Sequence, residues 1–109
     1  MLVIEGKAPE ICMPPYYNTG NVFDYGEGGM SFAGGVKVLG TARFDDDAIV
    51  ITNQTEFTLL VSLATNFVDF KSMPEGDPLE KAKEYFVNIR PYDELLREHT
   101  DDFSALFSR

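Results

Sequence analysis

Apolar positions along this chain follow a two-residue rhythm first and a helical rhythm last. Met30, Phe32, Val36 and Val38 fall on even positions, with Ser31, Lys37 and Arg43 on odd ones. That period predicts a strand over Met30–Phe44 with one buried face. Gly34-Gly35 in its middle predicts a bulge or a close backbone approach. Met1–Glu5 reads as an earlier strand, and Val22–Tyr25 lies between turn chemistry at Asn18-Thr19-Gly20 and Gly26-Glu27-Gly28-Gly29. Ala8–Asn18 carries Pro9, Pro14 and Pro15 and reads as an extended surface crossing. Asp45-Asp46-Asp47 predicts a hairpin turn with Ala48–Thr52 as its return strand. Thr55–Phe67 follows as a long strand, and its near-continuous apolar centre, Leu59–Leu63, predicts burial on both faces.

The period then changes. Asp77-Pro78-Leu79-Glu80 has the chemistry of a helix start, with Asp77 as cap, Pro78 in the first turn and Glu80 reaching back. A short helix is expected from there to about Asn88, with Leu79, Ala82, Tyr85, Phe86 and Ile89 as its apolar side. Arg90-Pro91 breaks it. From Pro91 to Arg109, Tyr92, Leu95, Leu96, His99, Phe103, Leu106 and Phe107 recur at three- and four-residue spacing, which places them on one face of a final helix. Such a stripe needs a surface to lie against, either the sheet upstream or a partner. Strands first and helices last predict a mainly β chain with C-terminal helices: an antiparallel β-sandwich fragment of about five strands over residues 1–70, then two α-helices in a linker segment, 71–109, packing on it.

Composition narrows the function. The chain has 109 residues and is 44% hydrophobic, enough for one modest core. A net charge of −9 repels phosphate backbones and anionic headgroups, so nucleic acid and membrane surfaces are poor partners. Neutral sugars and basic partners stay open. The N-terminus shows no signal-peptide pattern, and Cys12 is the only cysteine. Both features favour a reducing, cytoplasmic setting.

Candidate chemistry is sparse. His99 is the only histidine, and its place on the apolar stripe favours a buried, hydrogen-bonded residue over a general base. Asp45, Asp46 and Asp47 cannot all face one ion from a tight turn, so a solvated turn outweighs a calcium site. Gly26–Gly29 lacks the lysine and the helix of a phosphate loop. Tyr16, Tyr17, Tyr25, Phe67 and Phe70 flank turns; they could stack on sugar rings or plug the ends of a sandwich, and plugging is favoured. No cofactor or metal is expected.

Read in order, Gly6-Lys7-Ala8-Pro9, Pro15-Tyr16-Tyr17, Tyr25, Gly28–Phe32, the hairpin Val36–Thr52 and Leu59–Phe67 resemble one family, as does the ending from Tyr92-Asp93-Glu94-Leu95 through His99, Asp102, Phe103, Leu106 and Phe107 to Arg109. The pattern is similar to glycoside hydrolase family 95, the bacterial α-L-fucosidase and α-L-galactosidase-like enzymes. The resemblance implies the C-terminal part of that family's N-terminal β-sandwich domain plus its linker helices. The catalytic residues belong to an (α/α)6 barrel beyond this stretch, so none carries over. Pro91 departs from the family's serine-type cap, and Asn66–Gly76 is shorter than in some relatives. The expected partners are that barrel and the rest of the sandwich, with self-association of the chain by itself and an oligosaccharide as further candidates. Tyr16, Tyr17, Phe67, His99, Asp102 and Arg109 are the candidates for sugar contact or domain docking.

Overall fold

The computed structural model describes residues 1–17, 20 and 22–108. The chain is mainly antiparallel β with two C-terminal helices, as expected. Its centre is a three-stranded sheet of β1 (Leu2–Lys7), β4 (Ser31–Leu39) and β7 (Thr58–Thr65), in the order β1-β4-β7. Two small ribbons extend it: β2 (Ile11–Cys12) with β3 (Phe23–Asp24), and β5 (Arg43–Asp45) with β6 (Ala48–Val50). A 3-10 turn at Pro15–Tyr17 interrupts the crossing that the prolines predict as fully extended. Pro15 opens that turn, where a missing amide costs nothing. The turn expected at Asn18-Thr19 lies outside the described residues.

The glycine pair in β4 does not make a bulge. Gly34 pairs with Ile4 on one side and Leu63 on the other, Gly35 with Val3 and Ser62, and the register runs unbroken from Phe32 to Leu39 against β7. The glycines provide room for neighbours. A Cβ on Gly34 would stand 2.7 Å from Leu63 Cδ2, and one on Gly35 would stand 2.7 Å from the Phe86 ring. Gly6 is covered in the same way by the Phe32 ring, its cross-strand neighbour. The strand expected through Phe44 stops at Leu39; Gly40, at φ +133°, turns the chain before β5 begins. Asp46 and Asp47 form the hairpin loop, with Asp46 at φ 45°.

Cross-strand partners share a face of a sheet, so the register sorts every side chain. Val3, Ala33, Gly35, Leu60, Ser62 and Ala64 fall on one face. Leu2, Ile4, Phe32, Val36, Val38, Leu59, Val61 and Leu63 fall on the other, which carries no charged residue. Only the first face is covered. Helix α1 (Pro78–Glu84) lies on it, with Ala82 completely buried and Phe86, just past the helix end, over Gly35. The burial predicted on both sides of Leu59–Leu63 is therefore one-sided: Ser62 is buried, while Leu59 is 47%, Val61 62% and Leu63 73% exposed.

Asp77 caps α1, its carboxylate accepting from the Leu79 and Glu80 amides. The helix ends at Glu84, short of the expected Asn88, because the Phe86 amide tightens onto the Lys83 carbonyl at 2.9 Å. The Ala82 carbonyl is taken instead by the Ser62 hydroxyl, which donates to it at 2.9 Å inside the contact. After the connection through Ile89, helix α2 (Tyr92–Phe107) starts at Pro91 without a side-chain cap. Of the two surfaces expected for its stripe, the chain's own sheet is not used. Every described residue of α2 is exposed except the half-buried Leu95.

Removing the clamp should separate α1 from the sheet. Ser62→Ala leaves the buried Ala82 carbonyl unpaired and is expected to cost about 1–3 kcal/mol in urea unfolding followed by far-ultraviolet dichroism. Gly35→Val drives a side chain into Phe86 and is expected to cost about 1–3 kcal/mol in the same experiment. Asp77→Ala, which removes only the cap, should cost about 1 kcal/mol. Unchanged midpoints for Ser62→Ala and Gly35→Val together would mean that α1 is not held where it is described.

Candidate functional site

The concave surface of the molecule lies where β7, a sheet edge, meets the connection between the helices. Because α1 stops at Glu84, Tyr85 and Ile89 leave the helical face on which their spacing would have placed them. With Leu60, Val61, Leu63, Phe86 and Leu95 they line an open groove of about 550 Å³, edged by Glu84, Asn88 and Arg90. A second hollow, of about 430 Å³, lies between Phe32, Leu63, Ala64, Thr65, Lys81 and Tyr85. Tyr85 and Leu63 border both.

The groove is an apolar cleft with polar edges and contains a single carboxylate, Glu84. Glycoside hydrolysis by the common two-carboxylate route needs a pair across the scissile bond. No group of three or more His, Cys, Asp or Glu placed to hold a metal occurs among the described residues. Arg90 is turned outward into an ion pair with Glu98, which ties the connection to the first turns of α2.

The sequence candidates are scattered. Tyr16 and Tyr17 form a tilted pair with ring centroids 5.0 Å apart, and both are exposed, at 81% and 59%. Phe67 is exposed just after β7, as are Tyr25 and Phe70, so these aromatics do not plug a sandwich end. His99 is exposed rather than buried, 6.1 Å from the Phe103 ring, and Phe103 stacks on Phe107 at 4.3 Å. Asp102 is exposed on the same helix. Arg109 lies outside the described residues. The structure brings none of the described candidates to the groove. The reading of His99 fails because the stripe it belongs to has nothing on top of it.

Two features escaped the sequence reading. The groove wall at Tyr85 and Ile89 was hidden inside a helix expected to run too far. The Ser62 clamp had one visible signal: a lone hydroxyl in the apolar run Leu59–Leu63. Asn66 is a third local fixture. Its side-chain oxygen accepts from the Ser31 amide at 2.8 Å, and its backbone bonds to Ser31 and Glu75, closing the end of the sheet.

Beyond it, the Asp69 carboxylate accepts the Lys71 amide at 2.8 Å. That bond first, and then the Ser72 hydroxyl, hold its carboxyl below the ordinary aspartate range. A depressed folded-state pKa stabilises the turn above the unfolded value, and the contribution is lost as pH falls through the folded one. A carbon-detected NMR titration should place the Asp69 midpoint below that of aspartate in an unfolded peptide. Lys71→Pro, which deletes the amide donor, should raise it; a midpoint indifferent to that change would remove this cause.

Searches of protein-family models, of curated proteins and of solved structures each return no match to this chain.

Proposed function

We propose that the chain is a non-catalytic structural unit, a sheet layer with linker helices of the kind that joins a β-sandwich to a helical catalytic barrel in family-95-like glycoside hydrolases. The observation that supports a docking role is the state of the core. The buried hydrophobic residues among those described are Ala33 and Ala82, and no large side chain is fully buried. A chain of this length and hydrophobicity ordinarily closes a core of large side chains. Here many large apolar groups stay exposed, among them Ile4, Phe32, Leu59, Val61 and Leu63 on the outer sheet face and Leu96, Phe103, Leu106 and Phe107 on the α2 stripe. Surfaces of that character belong against other protein. The family identification rests on the motif order from Gly6 to Arg109.

Two measurements test the reading. The chain should release no fucose from aryl α-L-fucosides or fucosyl-oligosaccharides, and turnover abolished by a substitution within it would overturn the non-catalytic assignment. Mixed with a separately produced family-95 (α/α)6 barrel, it should elute as a stoichiometric complex in size-exclusion chromatography. Independent elution of the two would remove the kinship.

The exposed Tyr16–Tyr17 pair favours a second reading, an oligosaccharide-binding β-module. Saturable calorimetric binding of fucosylated glycans, lost in Tyr16→Ala, would establish that reading in place of the first.

A further inference from the structure

The two open surfaces match each other. α2 has 16 residues, so it is about 24 Å long and about 10 Å across. The sheet is nine residues long at β4 and three strands wide, about 30 Å by about 14 Å. One helix therefore spans the bare face. The chemistry agrees as well. The face is uncharged, and the stripe carries Leu96, Phe103, Leu106 and Phe107, while Glu94, Glu98 and Asp101 lie on the far side of the helix and Asp93 and Asp102 flank the stripe. A net charge of −9 opposes self-association in general; the sheet face adds no charge to the contact, and the carboxylates of Asp93 and Asp102 stay at the rim of the stripe.

The exposed area is larger than that of a compact monomer. The chain exposes 8749 Å², whereas a folded monomer of 12.2 kDa exposes about 6,100 Å². The excess, about 2,600 Å², exceeds the 800 Å² or so per partner of a standard interface and reaches the range of obligate dimers. The radius of gyration is 18.7 Å, against about 13 Å for a compact domain of this length. α2 also lacks the means to persist unaided. It has no side-chain cap and no basic residue in its last turn, and a helix of this length is marginal in water without packing.

We propose that the occupant of the bare sheet face is α2 of a second copy of this chain, in a symmetric dimer formed by reciprocal exchange of the C-terminal helix. Leu95 stays seated in the groove beside β7, and the rest of each helix, from Leu96 on, crosses to the partner's Ile4, Phe32, Val61 and Leu63. Both orphan surfaces of both copies are then covered by one two-fold operation. This state belongs to the chain by itself and does not rest on the glycosidase kinship.

Equilibrium sedimentation should give twice 12.2 kDa. Phe103→Asp and Leu63→Asp should each weaken the dimer by roughly thirtyfold or more. A monomer at all concentrations overturns the proposal. Cysteine pairing identifies the contact without disturbing folding. In a Cys12→Ser background, Val61→Cys marks the bare face midway along β7 and Phe103→Cys the middle of the stripe, so the two come together where the helix crosses that strand. Mixing the two single-cysteine proteins under oxidation should give the mixed covalent dimer. Covalent dimers of Val61→Cys with itself would show sheet against sheet, and of Phe103→Cys with itself helix against helix. An intramolecular disulfide in the double variant would show the helix folded onto its own sheet. Each of these three outcomes overturns the exchange.

Discussion

The contact between Ala82 and the glycine-lined centre of the sheet carries this fold. A helix approaches a sheet closely only where side chains are small, and here Ala82 is fully buried on a surface made of Ala33, Gly35, Ser62 and Ala64. The smallness that permits the approach also limits what it can contribute. Alanine and glycine bury little apolar area, so the contact supplies far less than a layer of leucines would. Polar specificity compensates in part, because the Ser62 hydroxyl fixes the height of α1 by bonding the one carbonyl that the tightened helix end releases.

That choice determines what happens to the other face. In a sheet, one residue in two points away from the helix, and on this chain those residues are the large ones: Ile4, Phe32, Val36, Leu59, Val61 and Leu63. The sequence therefore places its greater hydrophobic content on the side that its own described elements leave open. The same division recurs in α2, whose aromatic and leucine positions gather on one stripe with nothing over it. The apolar content is sufficient for a closed core, but among the described residues much of it lies on open surfaces.

Much of the fold was legible in residue patterns because the patterns were local. Alternation in β4, the cap at Asp77, the acidic hairpin turn and the helical spacing after Pro91 all report on neighbours a few residues apart. What the patterns could not carry was the pairing across elements. An apolar run such as Leu59–Leu63 reads alike whether its second face meets protein or water, and only the register against β4 shows which side α1 takes. Gly34-Gly35 likewise signals that something comes close without saying whether the backbone bulges or a neighbour such as Phe86 enters the gap. The end of α1 depended on a single amide, that of Phe86, choosing Lys83 over Ala82, which no spacing rule records.

The candidate site residues fared differently for one shared reason. Large aromatic or apolar-face residues such as Tyr16, Phe67 and His99 ordinarily end up covered. Coverage depends on what lies over each surface, and none of these three residues is covered by the described part of the chain. His99 is the sharpest case. Its neighbours at 95, 96, 103 and 106 gave it every sequence mark of a packed histidine, and those marks describe the stripe's affinity for a surface rather than the presence of one. The groove at the edge of β7, with Tyr85, Ile89 and Leu95 on its walls, is where the packed part of the chain ends and that requirement begins, because the helix leaves the protein's own contacts one turn after its start.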